Sequence, residues 1–171
     1  EELRRIEIDL REKHAELERF FALAPDLLCI ADTNGQFIKV NQAWKHILGY
    51  DTVSLEGEQF LDYVHPDDRQ RTRDAIATLE SQQSIKQFVN RYRTRQGEYR
   101  LIEWNSQPNG TYIYAAAQDI TERHESEQLK LDIERLKASF QKEQAQNALI
   151  QRFISMLSHD LRTPLAVIVS S

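Results

Sequence analysis

The chain has 171 residues, 40% of them hydrophobic and 29% charged, with a net charge of −5. That length suits one compact domain of about 100–150 residues plus helical extensions. The acidic balance, with no basic patch interleaved with aromatics, argues against nucleic acid as a partner. The single cysteine, Cys29, excludes an internal disulfide and a cysteine-based zinc site and fits a reducing cytosol. This portion is accordingly expected to be cytoplasmic; no run in it approaches the roughly 18 apolar residues of a membrane span and no signal peptide is present, which leaves membrane attachment of the full-length protein open.

Residues 1–24 read as a helix. Leu3, Ile6, Leu10, Lys13, Leu17 and Phe20 keep a three-four spacing with Lys13 as the polar break, which predicts a dimerising face, and Pro25 ends the run. A hairpin follows: the apolar Leu27–Ala31, a Thr33-Asn34-Gly35 turn, and Gln36–Val40. Short helices are expected over Gln42–Leu48, around Val53–Ser54 and over Gln59–Tyr63. His65-Pro66-Asp67-Asp68 reads as the start of a longer helix to about Glu80, its acids favoured at the positive end of the dipole and Ala75, Ile76 and Leu79 facing inward. Strands are expected over Ile85–Thr94, Tyr99–Ser106 and Thr111–Gln118, separated by turns at Gln96-Gly97 and Pro108-Asn109-Gly110. Two strands, small helices and three further strands make an α+β arrangement: an antiparallel sheet with helices over one face.

Beyond the last strand, Leu129, Ile133, Leu136, Phe140, Glu143, Asn147, Ile150, Ile154, Leu157 and Leu161 alternate in steps of four and three. This heptad stripe predicts a long parallel coiled coil, hence a homodimer. Glu143 and Asn147 interrupt it, either as a short polar break that fixes register or as a weakened segment where helices shift during signalling. Leu149 and Phe153 supply a competing stripe, so a local change of register is open. With Leu157 at d and Leu161 at a, His159 falls at f, farthest from the seam and presented to solvent.

The run Ser158-His159-Asp160-Leu161-Arg162-Thr163-Pro164-Leu165 resembles, unbroken, the phosphoacceptor box of the sensor histidine kinases. An imidazole nitrogen is the nucleophile for such phosphoryl transfer and titrates near neutral pH. The resemblance implies that His159 is the phosphoacceptor and that Asp160 orients its ring and takes the other N–H proton. It further implies that Thr163, one helical turn beyond, aligns a water that removes phosphate from the partner protein. Pro164 has no N–H to donate and should kink the helix just past the site.

Residues 18–121 also resemble a PAS domain. The markers are Asp32-Thr33-Asn34-Gly35, Val40-Asn41, Leu48-Gly49-Tyr50, His65-Pro66-Asp67-Asp68, Arg95-Gln96-Gly97-Glu98, Trp104 and the closing Asp119-Ile120-Thr121. That resemblance implies a five-stranded antiparallel sheet with small helices and a side pocket, dimerisation, and output through the last strand, which Asp119, Ile120 and Thr121 join to the output helix. Asp119 also has the charge to pair with a basic residue on a neighbouring strand. Cys29, Ile30, Trp44, Leu48, Phe60 and Tyr112 are candidates to line a ligand pocket, or else to fill the core. The reactive cysteine of a flavin photosensor is missing from Leu55–Leu61, and the histidine of a haem-binding PAS domain is missing from Arg69–Ile76. The ligand of the PAS domain is thus left unidentified. His65 is expected to cap or brace its helix, and the surface is the default for His46. No histidines share a ligand-like spacing with acids, so no metal site is expected.

Together these readings give an N-terminal dimerisation helix at 1–24, a PAS sensor at 25–121, a signalling coil at 122–152 and the first part of a phosphoacceptor helix at 153–171. The resemblance implies the relay part of a two-component histidine kinase, whose separate ATP-binding catalytic domain, with ATP and Mg, phosphorylates His159. A response-regulator receiver domain then takes the phosphoryl group on an Asp. Neither a phosphate-cradling glycine loop nor a second bundle helix is present, so this portion is expected to be inactive alone, and both ends read as cut from a larger receptor. The alternatives are a non-catalytic PAS dimerisation module and a PAS coupled to another output, such as a nucleotide cyclase.

Overall fold

The computed structural model describes the backbone of residues 1–168 and the side chains of residues 1–161. In chain order the elements are α1 (Glu2–Leu23), β1 (Leu27–Asp32), β2 (Phe37–Val40), α2 (Ala43–Leu48), α3 (Thr52–Leu55), 3-10 turns at Phe60–Tyr63 and Pro66–Asp68, α4 (Arg69–Glu80), β3 (Ile85–Arg93), β4 (Tyr99–Asn109), β5 (Tyr112–Asp119) and α5 (Thr121–Ile168). They divide into one unit of residues 1–122 and another from Arg123 onward.

Five strands form one sheet in the order β2-β1-β5-β4-β3, every neighbouring pair antiparallel. Alternation along each strand sends one set of side chains to the core and the other outward. Leu27, Cys29 and Ala31 of β1 are buried between less buried neighbours, as are Ile102, Trp104 and Ser106 of β4. The α2, α3 and α4 segments are too short or too polar to persist alone, and they persist by covering this inner face. Trp44 of α2 and Phe37 of β2 are essentially inaccessible and meet edge to face, ring centroids 4.9 Å apart. Trp104 extends the aromatic cluster to Trp44 at 6.0 Å and to Tyr92 at 5.3 Å. Such pairs add about 0.5–1.5 kcal/mol each beyond their buried area.

One turn differs from expectation. Pro108 and Asn109 do not leave the sheet. They continue β4 and pair with Ile113 and Tyr112, and the reversal is made by Gly110 and Thr111. Beyond Ser106, β4 has lost its β3 neighbour, so the missing N–H of Pro108 costs no ladder bond on that open side.

Asn41 ties α1 to the sheet. Its buried side chain accepts the Leu28 N–H at 3.0 Å and donates to the Ala24 and Asp26 carbonyls at 3.3 and 2.9 Å. Lys39 of β2 bonds Glu18 of α1 at 2.6 Å and lies 4.9 Å over the Phe21 ring. The outward stripe of α1 stays exposed, Leu10, Leu17 and Phe20 among it.

Candidate functional site

His159 lies on α5, within the second unit. Its side chain is 83% accessible, enough for a phosphate donor to approach the ring. The Asp160 carboxylate is 3.6 Å from the His159 Nδ1, longer than a hydrogen bond but close enough to attract a ring proton. The stripe residues beside it, Ile154, Leu157 and Leu161, are also exposed along this single helix. Thr163 and Pro164 fall outside the residues whose side chains are described.

The junction between sheet and α5 is built from backbone and side chain together. Asp119 Oδ1 accepts the Thr121 N–H at 2.9 Å and the Thr121 hydroxyl at 2.5 Å, capping the first turn of α5. The Thr121 oxygen in turn accepts the Leu101 N–H at 2.9 Å, and the Ile120 N–H donates to the Leu101 carbonyl at 2.9 Å. The basic partner of Asp119, which spacing left open, is Arg100 on β4 at 3.6 Å. The helix thus starts from a point bonded to the strand beside β5.

A cavity of about 70 Å³ lies between α4 and the inner face of the sheet. Its walls are mainly apolar, with Phe60, Ile76, Phe88, Trp104 and Ile113 among them, and Cys29 reaches it from β1. Of the other candidate pocket residues, Trp44 and Leu48 are wholly buried in the core cluster beside it. Ile30 and Tyr112 lie elsewhere: Ile30 lines a groove on the other face with α1, and Tyr112 is exposed. Cys29 and Ile30 are adjacent in a strand, so they point to opposite faces. Burial pushes the Cys29 thiol up to about 12, which keeps it protonated and weakly nucleophilic.

A polar chain runs beside the cavity, unforeseen from the sequence. Trp104 Nε1–H donates to Asn90 Oδ1 at 2.8 Å, Asn90 Nδ2 donates to the Thr72 hydroxyl at 3.2 Å, and that hydroxyl donates to the Asp68 carbonyl at 2.8 Å. The Asp68 carboxylate takes three bonds from Arg91: the backbone N–H at 2.9 Å, and Nε and Nη2 at 2.8 Å each. The Arg91 guanidinium holds the Asp68 carboxyl down at about 2. One bond away, His65 Nδ1 accepts the Asp67 N–H at 3.2 Å and caps the turn. The links from Trp104 to Asn90, from Asn90 to Thr72 and from Arg91 to Asp68 join residues 14, 18 and 23 positions apart, and only the acidic helix start and the strand alternation hinted at them.

Among the described residues no group of histidine, cysteine and acid side chains is placed to hold a metal, and no helix is long and apolar enough to cross a membrane. Residues 37–116 match the family model described as PAS fold. No curated protein matches the chain. Among solved structures, the PAS domain of an HTR-like protein from Haloarcula marismortui is 25% identical, with a TM-score of 0.61 over 68% of this chain and 99% of that one. A domain of a sensory box sensor histidine kinase/response regulator from Geobacter sulfurreducens is 19% identical, with a TM-score of 0.57 over 64% of this chain and 96% of that one. The PAS domain of the Cronobacter turicensis RpfR quorum-sensing receptor, in complex with BDSF, is 18% identical, with a TM-score of 0.52 over 57% of this chain and 96% of that one. The sheet and its helices are therefore a PAS fold, flanked by α1 and the long α5.

Proposed function

We propose that this PAS domain and its output helix are the sensing and relay part of a histidine protein kinase, with His159 as phosphoacceptor. The observation that carries the reading is the unbroken string Ser158 to Leu165, with an exposed His159, on the helix that leaves β5 through Asp119, Ile120 and Thr121. In this reading an ATP-binding domain of the same protein, with Mg, brings the γ-phosphoryl group to the imidazole. An N–P bond forms, the bond to the β-phosphate oxygen breaks, ADP leaves, and Asp160 balances the positive charge on the ring. A response-regulator carboxylate then attacks the same phosphorus, forming an acyl phosphate and returning a neutral histidine. Thr163 would position the water that later hydrolyses it. The resemblance to sensor kinases and the heptad stripe of α5 support a parallel homodimer, and the need for ATP and a receiver domain puts this portion in the cytoplasm. The PAS state would bias α5 between two arrangements close in energy.

The test is phosphoryl transfer from radiolabelled ATP to the protein that carries this chain together with its ATP-binding domain, beside a His159→Gln variant. Acid-labile label in the native protein and none in the variant is expected. A folded, ATP-binding protein that takes no label would support a non-catalytic dimerisation module instead.

A further inference from the structure

We infer that Asn109 is a site of spontaneous covalent modification: its side-chain amide is lost through a cyclic imide, leaving aspartate and isoaspartate at the tip of the β4–β5 hairpin. The inference rests on that hairpin alone and does not depend on whether His159 is phosphorylated.

The chain carries two Asn-Gly pairs, Asn34-Gly35 and Asn109-Gly110. In such a pair the glycine nitrogen is the nucleophile, and the missing Cβ lets it approach the asparagine Cγ closely. Attack needs a glycine N–H that is free of hydrogen bonds and a peptide unit with room to turn. The fold treats the two pairs differently. The Gly35 N–H donates to the Asp32 carbonyl at 3.1 Å, and the Gly35 carbonyl accepts the Phe60 N–H at 2.9 Å. Gly35 is buried, and a Cβ there would stand 2.8 Å from the side-chain amide of Gln59, so this peptide unit is enclosed. The Asn34 amide is held as well, its Nδ2 donating to Asp32 Oδ2 at 3.5 Å.

Asn109-Gly110 lacks these restraints. Asn109, Gly110 and Thr111 are all exposed. Gly110 is the first residue of the two-residue turn, with φ 63°, where a hairpin favours glycine. Its N–H has no acceptor among the described residues. A Cβ on Gly110 would meet no atom within 4 Å. Asn109 pairs with Tyr112 on one side only, because β3 reaches no further along β4 than Ser106. Two ties hold the turn itself: Gln82 Nε2 donates to the Gly110 carbonyl at 3.1 Å, and the Thr33 N–H donates to the Thr111 carbonyl at 3.1 Å. A hairpin end with one free flank opens at little cost, and each opening lets the nitrogen reach Cγ.

In the reaction the Gly110 nitrogen attacks Asn109 Cγ and a C–N bond closes the imide ring. The Cγ–Nδ2 bond breaks, and ammonia leaves with the proton that Gly110 gave up. Water then opens the ring. Addition at the side-chain carbonyl restores the chain as aspartate. Addition at the main-chain carbonyl gives isoaspartate, in which the chain runs through the side-chain carbons and is one atom longer. Both products add a negative charge. The longer form also carries the Gly110 carbonyl away from Gln82 and so releases the tie between the end of α4 and the hairpin. Its free α-carboxylate is the substrate class of methyltransferases that use S-adenosylmethionine to esterify isoaspartyl residues.

The experiment holds the whole chain in native, mildly alkaline buffer and samples it over weeks. Peptide mass mapping locates the amide-to-acid exchange, and an isoaspartyl methyltransferase with labelled S-adenosylmethionine detects isoaspartate. Conversion is expected at Asn109, isoaspartate included, and at least about tenfold slower at Asn34, where two backbone hydrogen bonds must open first. In denaturant the two sites should convert within about twofold of each other, because the restraints on Gly35 are gone. Equal native rates at the two sites, no native conversion at Asn109 while the denatured chain converts, or a preference for Asn109 that survives in denaturant would each overturn the inference. His159 takes no part in this assay, so its outcome leaves the phosphoacceptor reading to its own test.

Discussion

Asp68 shows how one side chain turns charge into fold stability. Its folded carboxyl sits at about 2, against an ordinary value near 3.9, because Arg91 supplies a bidentate partner and a backbone N–H. The folded pKa lies below the unfolded one, so the stabilisation is complete above about pH 4 and is lost as pH falls from about 4 to 2. It amounts to about 2 kcal/mol, and the carboxylate is mostly buried, so solvent screens it little. Urea unfolding of the native chain between pH 6 and 2 should show this loss, and Asp68→Asn should be less stable at pH 6 and flatter over that range. An unchanged pH profile in the variant would remove Asp68 from the account. Cys29 gives the opposite case: a thiol held near 12 by burial. In native buffer at pH 8 a thiol reagent should label it only as fast as the domain opens, and at once in denaturant. Rapid native labelling would contradict the packing described.

At the scale of elements, the joints decide more than the elements do. Asn41 holds three backbone groups where α1 meets the sheet, so Asn41→Ala should cost about 2–4 kcal/mol, read as a lower denaturation midpoint, with the sheet retained. No loss of stability would mean that water replaces the side chain. The hairpin of β1 and β2, the short helices and the three later strands were legible because turn residues and alternation act locally. Pro108 was misplaced because its effect depends on whether β3 still lies alongside, a tertiary fact. Of the six residues named for a pocket or the core, the structure brings two to one cavity. Cys29 and Phe60 reach the cavity, while Trp44 and Leu48 are consumed by the core, and Ile30 and Tyr112 fall on the wrong side of their strands. Strand alternation alone separates Cys29 from Ile30 and Tyr112 from Ile113. The chain from Trp104 through Asn90 and Thr72 to Asp68 was illegible, because its partners meet only after α4 docks on the sheet.

At the scale of the whole molecule, one helix leads from the PAS fold to the histidine of the Ser158–Leu165 motif. The PAS fold ends in a strand whose last acid caps α5 and pairs with Arg100, and the histidine motif lies some forty residues along the same helix. The heptad stripe lies between them, and in the proposed reading it carries a change in how α5 starts toward His159. In this account Asp119 is a positioning residue: it touches no phosphate, and its loss should alter rate without removing the acceptor. The decisive measurement is the rate of acid-labile label incorporation from ATP in the protein bearing this chain and its ATP-binding domain, compared among native, His159→Gln and Asp119→Ala forms. The account predicts label in the native protein, none in His159→Gln, and a rate changed about fivefold or more, in either direction, in a folded Asp119→Ala. Label that persists without His159, or a rate indifferent to Asp119, would contradict it.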